Sequence, residues 1–348
     1  MTAVRRFFTR KLVRLGVVAA ACVTVAAVGA SLAFAGNSSK PLGSGVVVIE
    51  TNLAYQGGAA AGTGMVLTSS GRVLTNNHVI RGATTIKVAL PGTGRSYGAT
   101  VVGYDVKDDV AVLQARGAPA LKAVSLGNSA RLAVGAAVVA RGNAGGTGSL
   151  TSAAGTVSGL NRTITVNDDQ GGTETLRGLI ETDAPIQPGD SGGPLFAGGS
   201  RVVGMNTAAS TGYGYQYDPA TDAYAIPINH ALAIFRQVTS GKTSATVHVG
   251  ATAFIGVAVQ PTSANPFAYG STSGDVVVAV TPNSPAVAAG LAPGDVITAV
   301  AGRQVTSSTN IANVLLTRKP GDRVGVAYID QTGAAHTTTV TLASGPPQ

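Results

Sequence analysis

The stretch GDSGGPL, residues 189–195, places a serine between an aspartate and two glycines, directly after Pro188. Ser191 in this bend is either a nucleophile or an ordinary polar residue of a turn. Because the chain has 47 glycines, bends of this kind are common in it. The segment decides the fold and the function only if the rest of the chain supplies a general base, an orienting carboxylate and a suitable frame.

Two other segments contain the missing groups. VLTNNHVI (73–80) places His78 in a polar turn after a strand-like run, and GYDVKDDVAVLQ (103–114) places Asp109 directly before an apolar run. Either residue alone is more often structural than catalytic. A serine hydroxyl is a weak nucleophile at neutral pH unless an imidazole takes its proton and a carboxylate orients that imidazole. The order His78, Asp109, Ser191 satisfies this requirement.

The backbone of the same bend offers the remaining group. A tight turn aims the N–H groups of Gly189 and Ser191 at one point, where they stabilise the oxyanion of a tetrahedral intermediate by roughly 2.7–4 kcal/mol per donor. Glycines at 189, 192 and 193 allow backbone angles and close approaches that a Cβ would obstruct. Loop flexibility would also explain the glycines, but it does not explain a histidine and an aspartate in the required order.

The frame is predicted to be mainly β. Short β-rich runs between turn residues fill residues 44–227 and indicate antiparallel barrels or sandwiches. INHALAIFRQV follows, in which apolar residues recur at helical spacing after a capping Asn229. The polar residues 239–250 predict a linker. A second unit then combines five or six short strands with two helices, one after the N-cap Ser284 and one near residues 308–317.

Composition excludes several classes of protein. The 348 residues are 45% hydrophobic and 11% charged, so the chain is globular and long enough for two or three domains. Five basic residues precede residue 15, and the remaining 19 basic and 16 acidic residues form no basic cluster. We therefore expect no nucleic-acid partner despite the net charge of +8. With Cys22 the only cysteine and four histidines in the chain, we expect no thiol nucleophile, no metal site and no cofactor.

The first 35 residues predict an export signal. A basic start is followed by a weakly apolar run and by Ala33-Phe34-Ala35, a small-x-small cleavage site that would leave Gly36 as the first mature residue. The alternative is an uncleaved membrane anchor through residues 15–35, which approach the roughly 20 residues that span a bilayer. Both versions predict a location outside the cytoplasm, either secreted or in the cell envelope.

The segments TNNHVI, DVAVLQ and GDSGGPL resemble the three catalytic segments of trypsin-like serine proteases. The absence of cysteine after His78 points to the bacterial HtrA branch, and ARGNAGGTGSLTSAAGTVSGLNR (140–162) is also similar to an HtrA segment. Within that family the chain resembles the actinobacterial secreted PepA-like proteases. The resemblance implies a mainly β fold with two six-stranded antiparallel barrels, an active site in the cleft between them, and a small α+β PDZ domain. It implies His78 as base, Asp109 as its orienter, Ser191 as nucleophile, and Gly189 with Ser191 as oxyanion donors.

The domain boundaries expected on this basis divide the chain into four parts. They are a signal peptide or anchor at 1–35, a protease domain at 40–238, a linker at 239–250 and a PDZ domain at 251–345.

The resemblance also suggests where substrates and ligands bind. The residues expected to line the pocket for the side chain on the acyl side of the cut bond, called P1, are Pro185, Asn206, Thr207 and Ala208. None carries a negative charge, so small aliphatic P1 residues are expected rather than Lys or Arg. In the PDZ domain, Phe254, Ile255, Gly256 and Val257 match the carboxylate-binding loop, and Ile311 with Leu315 would receive the last side chain of a peptide. The alternative is that this stretch is a plain core strand.

Three questions stay open at this level. Asp190 stands where many HtrA proteins have asparagine, and in digestive proteases this aspartate pairs with a newly cut N-terminus that the sequence does not obviously supply.

The predicted function is endoproteolysis of unfolded or misfolded proteins, and the alternative is a peptide-binding chaperone or adaptor with a dormant protease site. HtrA trimers often form through N-terminal aromatic residues. Residues 36–60 offer only Tyr55, so trimer and monomer both remain open.

Overall fold

The structure is a computed structural model that describes residues 44–167, 173–209, 223–262, 273–306 and 308–348. The predicted export segment and Cys22 lie outside these residues. The described residues belong to one unit, Ser38–Gln348. Among them, no helix has the length and apolar character needed to span a bilayer.

The first half of the protease region is a closed β-barrel. Its strands are β1 (Val46–Leu53), β2 (Gly58–Val66), β3 (Arg72–Thr75), β4 (Thr85–Leu90), β5 (Arg95–Asp105) and β6 (Val110–Ala115). They pair antiparallel in the ring β1-β2-β3-β6-β5-β4. Alternating apolar residues such as Val47, Ile49 and Leu113 fill the interior, because side chains of a strand point to opposite faces. A four-residue helix, α1 (Asn77–Ile80), follows β3.

A second closed barrel follows. Its strands are β8 (Ala137–Gly142), β9 (Thr151–Asn167), β10 (Thr173–Thr182), β11 (Pro194–Ala197), β12 (Arg201–Ala209) and β13 (Ala223–Pro227). They form the ring β8-β9-β10-β13-β12-β11, again antiparallel throughout, while β7 (Ser125–Leu126) adds to β12 in parallel. The predicted pair of six-stranded antiparallel barrels is confirmed.

Helix α2 (Ile228–Thr239) ends the second barrel, and its start differs from the prediction. The helix begins at Ile228, with Pro227 at the N-cap position, so Asn229 is not the capping residue. The fixed φ of proline suits a helix start and replaces the side-chain cap that the sequence suggested. The side-chain amide of Asn229 instead donates to Oδ1 of Asn128, at 2.7 Å.

Part of the stretch predicted as a linker is a strand. Residues Val247–Val249 form β14, which pairs antiparallel with β5 of the first barrel. The two strands approach so closely at Gly103 that a Cβ there would overlap the backbone oxygen of His248. The connection between the two modules is therefore hydrogen-bonded to the protease module.

The second module has the predicted α+β composition. Its strands and helices are β15 (Thr252–Phe254), β16 (Val257–Pro261), β17 (Asp275–Val280), α3 (Pro285–Ala288), β18 (Val296–Val300), β19 (Arg303–Gln304), α4 (Ser308–Leu316), β20 (Arg323–Ile329), β21 (Ala335–Thr341) and β22 (Ala343–Gly345). The main sheet runs β16-β17-β18-β20-β21, and β15 pairs with β22. Among the described strands, β16 is an edge strand, so one side of it is open to pairing.

Buried polar contacts join the two modules. The hydroxyl groups of Tyr104 on β5 and Thr252 on β15 lie 3.1 Å apart. The ring of His248 packs against that of Tyr104 with centroids 5.1 Å apart, and its nitrogens lie 3.1 Å from the backbone oxygens of Leu316 and Ala251. Strand β14 thus fixes both the backbone and the side chains of this junction.

The close approach of β5 to β14 predicts the effect of a single added methyl group. We expect Gly103→Ala to lower the free energy of unfolding by about 1–3 kcal/mol, because the Cβ must push β14 away. Gly98→Ala is the matched control, since a Cβ at this exposed position of the same strand meets nothing within 4 Å. Thermal unfolding measures both, and equal midpoints for the two variants would contradict the assignment.

Candidate active site

Ser191 lies in a bend that only glycines can complete. Gly189 and Gly192 have φ values of 98° and 83°, in the left-handed region that side chains disfavour. A Cβ on Gly192 would overlap the backbone oxygen of Thr63 and the hydroxyl of Thr75, both from the first barrel. Close packing against the first barrel therefore requires glycine at 192, and close packing against Asn143 requires it at 189, so loop flexibility does not account for these glycines.

His78 and Asp109 form a hydrogen-bonded pair. Nδ1 of His78 lies 2.8 Å from Oδ2 of Asp109, and the backbone N–H of His78 donates to Oδ1 at 2.9 Å. The bond through Nδ1 leaves Nε2 as the ring nitrogen that can accept a proton. The His78 side chain is 34% exposed, whereas that of Asp109 is 2% exposed. One imidazole nitrogen is thus held by a buried carboxylate while the ring keeps an accessible edge.

The backbone of Asp109 is held in an unusual conformation. Its φ of 52° lies in the left-handed region, which is uncommon for residues other than glycine and clusters at functional sites. The side-chain amide of Asn76 donates to its backbone oxygen at 2.9 Å, and the hydroxyl of Thr207 donates to Oδ2 at 2.6 Å. These bonds, together with those of His78, hold the carboxylate in place against the strain.

The ionisation of the pair follows from these contacts. Burial alone lowers the pKa of His78, but the charge of Asp109 and its hydrogen bond outweigh this effect and raise the pKa above its ordinary value. Burial likewise works against ionisation of Asp109, yet the nearby His78 and the bonds from His78 and Thr207 keep the pKa of Asp109 below its ordinary value. The carboxylate is therefore charged at neutral pH and stabilises a protonated imidazole.

The Ser191 hydroxyl has a partner other than His78 in this structure. It donates to the backbone oxygen of Thr207 at 3.2 Å. Within the part of the chain that the structure describes, no hydrogen bond joins this hydroxyl to the imidazole. A rotation about the Cα–Cβ bond of Ser191 is needed to bring the two groups together, as is common before a substrate is bound.

Two backbone N–H groups of the bend are oriented by their neighbours. The Pro188 oxygen accepts a hydrogen bond from Gly145 at 2.8 Å, and the Asp190 oxygen accepts one from Gly193 at 3.0 Å. Because a trans peptide points its N–H opposite to its carbonyl, these bonds turn the N–H groups of Gly189 and Ser191 the other way. Neither N–H donates to an acceptor among the described residues. They are free to bind an anionic oxygen.

Thr63 of strand β2 clamps this bend onto the first barrel. Its backbone N–H donates to the Ser191 oxygen at 2.8 Å, and its hydroxyl donates to the Gly189 oxygen at 2.7 Å. The same hydroxyl accepts from the backbone N–H of Asn143 at 2.9 Å. The fully buried Thr63 thus connects β2, the Ser191 bend and the loop after β8.

The structure shows how the bend is held with aspartate at position 190. Oδ2 of Asp190 accepts from the backbone N–H of Gln187 at 3.0 Å, so the side chain closes its own turn. Oδ1 is buried against Gly142 without a partner, and burial raises the pKa of this carboxyl group. The Asp190 side chain is thus held by the backbone of its own turn, while Thr63 holds the neighbouring Gly189 and Ser191.

Two further charged residues lie near His78, and no sequence motif predicted them. Arg81 follows α1, and its Nη2 lies 3.3 Å from Oε2 of Glu174 on β10. Burial, followed by the negative charge of Asp109, raises the pKa of Glu174 to about 7, although Arg81 opposes this shift. Glu174 in turn contributes to the raised pKa of His78. It comes from the second barrel, nearly 100 residues along the chain from His78, so no local motif identifies it.

The residues expected at the P1 pocket take different places. Pro185 is exposed. Asn206 is fully buried and its side-chain amide donates to the Pro194 oxygen at 3.3 Å, so this side chain lies beneath the surface of the site. Thr207 supports Asp109 with its hydroxyl and Ser191 with its backbone oxygen. Ala208 pairs with Tyr224 through its backbone, and its side chain lies outside the described atoms.

The residues expected to bind a peptide in the second module line one cavity. This groove, of about 770 Å³, is bordered by Phe254, Ile255, Gly256, Val257, Ile311 and Leu315. Gly256 has a φ of 96°, and the N–H groups of Ile255 and Gly256 donate to no acceptor among the described residues. Edge strand β16 forms one side. The stretch from 254 to 257 is therefore a turn that opens into a groove, in contrast to a plain core strand.

The groove has further walls that the sequence did not indicate. Tyr55, in the turn between β1 and β2, stacks on Phe254 with ring centroids 5.5 Å apart and an interplanar angle of 6°. Pro346, Pro347 and Gln348, which follow β22, also line the groove. Among the described residues, no cluster of acidic, histidine or cysteine side chains could hold a metal ion.

The Glu174 contact predicts a pH effect. We expect Glu174→Gln to lower the pKa of His78, because the negative charge that Glu174 carries above its own pKa of about 7 is removed. The acid limb of kcat/KM should shift to lower pH by less than about 1 unit, since Glu174 is only partly ionised where His78 titrates. Peptide hydrolysis between pH 5 and 9 measures the shift. Glu50→Gln, at an exposed position of β1, serves as the control and should leave the limb in place. An unmoved or upward-shifted limb in Glu174→Gln would contradict the prediction.

Comparisons with known proteins agree with this architecture. A family model described as a trypsin-like peptidase domain matches residues 62–205, and a PDZ domain model matches residues 253–342. The chain is 32% identical over 314 residues to serine protease PepD of Mycobacterium tuberculosis, which covers 85% of this chain and 63% of that protein. It is 34% identical over 285 residues to serine protease Do-like HtrB of Bacillus subtilis, covering 78% of this chain and 58% of that protein.

The chain thus spans about three fifths of the length of these curated relatives. Among solved structures, the HtrA-type protease AlgW with a tripeptide is 30% identical, has a TM-score of 0.50, and is matched over 88% of this chain and 96% of that one. Nearly the whole of that structure therefore has a counterpart here. On the paired barrels, the second module and these matches, the chain belongs to the HtrA-type proteases, in which a trypsin-like peptidase domain is followed by a PDZ domain.

Proposed function

We propose that the chain is an exported serine endopeptidase that hydrolyses peptide bonds of unfolded or misfolded proteins through an acyl-enzyme. His78 acts as general base, Asp109 orients it, Ser191 is the nucleophile, and the N–H groups of Gly189 and Ser191 bind the oxyanion. The observation that carries the proposal is the 2.8 Å bond between His78 and a buried Asp109, in the same site as a glycine-flanked Ser191 with two free N–H groups. No cofactor is required.

The reaction follows from the positions of these groups. The Ser191 hydroxyl turns from the Thr207 oxygen to Nε2 of His78, which takes its proton as the hydroxyl oxygen attacks the carbonyl carbon of the substrate. The carbonyl oxygen becomes an anion between the N–H groups of Gly189 and Ser191. His78 then protonates the leaving amine, the C–N bond breaks, and an ester to Ser191 remains. Water attacks this ester by the same route and releases the acid.

The groove of the second module is proposed to bind peptide C-termini. An extended peptide would pair with edge strand β16, and its carboxylate would accept hydrogen bonds from the free N–H groups of Ile255 and Gly256. Its last side chain would pack against Ile311 and Leu315, which border the same cavity. The absence of charged side chains from these contacts favours peptides that end in an apolar residue.

A peptide-binding chaperone or adaptor is the second candidate. The observation that favours it is the hydrogen bond from the Ser191 hydroxyl to Thr207, which leaves the nucleophile turned away from its base. An intact His78–Asp109 pair and two free oxyanion donors favour the protease. Fluorophosphonate labelling separates the two candidates, because only a competent nucleophile reacts.

Specificity, location and assembly are part of the proposal. Small aliphatic P1 residues are proposed because Pro185, Thr207 and Ala208 bring no charge to the pocket. Residues 1–35 are proposed to direct the chain out of the cytoplasm, and tethering through residues 15–35 would keep it at the membrane. Tyr55 is the one aromatic residue in the sequence 36–60, and its ring stacks on Phe254 of the same chain. This intramolecular contact favours a monomer over a trimer built on Tyr55.

The first experiment is hydrolysis of unfolded casein by the chain and by Ser191→Ala, with fluorophosphonate labelling of both. We expect the parent chain to cleave and label, and the variant to do neither, because removing the nucleophile leaves only residual catalysis. Mapping the cut bonds in the same digest tests the pocket, where small aliphatic P1 residues should dominate. A parent chain that neither cleaves nor labels would favour the chaperone, and cuts mainly after Lys or Arg would refute the proposed pocket.

The peptide groove is tested with Ser191→Ala, so that ligands stay intact. We expect fluorescent peptides that end in Val or Leu to bind saturably, and their C-terminally amidated counterparts to bind about tenfold more weakly or worse. The difference arises because the amide loses the charge-assisted bonds to Ile255 and Gly256. Fluorescence anisotropy measures both sets. Equal affinity of acid and amide forms would contradict carboxylate recognition.

A further inference from the structure

The segment Pro346–Gln348, which follows β22, lies against the helix that carries His78. The backbone N–H of Gly82 donates to the Pro347 oxygen at 2.8 Å, and the side-chain amide of Asn77 donates to the Gln348 oxygen at 2.9 Å. The N–H of Gln348 donates to the hydroxyl of Tyr104 at 3.3 Å, and Pro347 is buried. A segment of the PDZ module is thus fixed to the protease module by three hydrogen bonds.

Two of these bonds involve residues on either side of His78 in the sequence. Asn77 is the first residue of α1 and directly precedes the histidine, and Gly82 lies two residues beyond the end of the helix. A helix of four residues has too few internal hydrogen bonds to hold its own position. The residue before it, Asn76, makes no side-chain cap to the helix. The orientation of α1 therefore depends on contacts outside the helix. These are the packing of the buried Val79 and Ile80, the bond from the His78 N–H to Asp109, and the bonds at both ends.

Among the described residues, the Asn77 side chain has one hydrogen-bond partner, the backbone oxygen of Gln348. Its side chain is fully buried, and its Oδ1 accepts no hydrogen bond. The bond to the Gln348 oxygen is the one that the side-chain amide makes within the described residues. If the segment moved away, both polar atoms of a buried amide would lack partners, so the position of Asn77 and that of the segment are linked.

We propose that Pro346–Gln348 is a positioning segment for His78, a role that rests on the proposed function of His78 as general base. By holding Asn77 and Gly82, the segment sets the orientation of α1 and with it the direction in which Nε2 of His78 faces Ser191. Asp109 holds the imidazole ring itself through Nδ1, whereas the segment holds the backbone of α1 that carries the ring. Displacement by about 1 Å is enough to slow such a reaction severely.

The test compares the full chain with a deletion of residues 346–348, with Asn77→Ala, and with the two combined. We expect the deletion to lower kcat and the rate of fluorophosphonate labelling by about tenfold or more, while KM for a short peptide stays within about twofold, because the bonds lost orient the base and do not bind substrate. Asn77→Ala should show part of this loss. The combined variant should be no slower than the deletion, because both changes remove the same contact.

Controls separate positioning from folding. Thr332→Ala removes a similar hydrogen bond in an exposed turn of the PDZ module and should leave kcat unchanged. Thermal unfolding of each variant identifies the fraction folded at the assay temperature. If the deletion does not fold, Asn77→Ala decides the question, since it keeps the whole segment.

The outcomes are distinct. Equal kcat and labelling rates in the full chain and in the folded deletion, or in Asn77→Ala when the deletion does not fold, would overturn the positioning role. Additive losses in the combined variant would overturn the link between Asn77 and the segment. A full chain that neither labels nor cleaves would contradict the proposed function itself, which is a different result from an active chain that tolerates the deletion.

Discussion

The carboxylate of Asp109 is the constraint on which the site depends. A buried charge is stable in a protein only when hydrogen-bond donors surround it, since removing one partner leaves an uncompensated charge. Here the donors come from separate parts of the chain: two from His78 after β3, and one from Thr207 on β12. The first barrel and the second barrel must therefore meet at this carboxylate. Asp109 adopts a strained, left-handed backbone conformation in this arrangement.

Close backbone packing fixes the bend that carries Ser191. Thr63 binds the Ser191 bend through both its backbone and its hydroxyl, and Gly192 allows an approach to Thr63 and Thr75 that no larger residue permits. The two N–H groups proposed as oxyanion donors owe their direction to bonds made by the neighbouring carbonyl groups. Asp190 adds a bond within the bend itself. Together these contacts hold the bend in its conformation.

The sequence predicted the barrels, the second module and the family, because alternating apolar runs and short motifs are local signals. It also named His78, Asp109 and Ser191, which the structure brings into one site. It did not identify Glu174 or Thr63, because their roles arise from contacts between residues about 100 or more positions apart. The strand Val247–Val249 was predicted as part of a linker, because three residues within a polar stretch are too few to show a periodicity. Its pairing with β5 stabilises it. Helix α2 starts two residues earlier than a cap at Asn229 would place it, because Pro227 takes the N-cap position.

The pairing of β14 with β5 has a consequence for the surface of the barrel. At residues 103–105, β5 pairs with β6 on one side and with β14 on the other. A fragment that stopped at Thr239 would leave this second side bare, with unpaired N–H and C=O groups in a row. Such an edge is a template for pairing with another copy of the chain, and natural proteins usually cover it. The connection between the modules therefore also protects the first barrel from self-association.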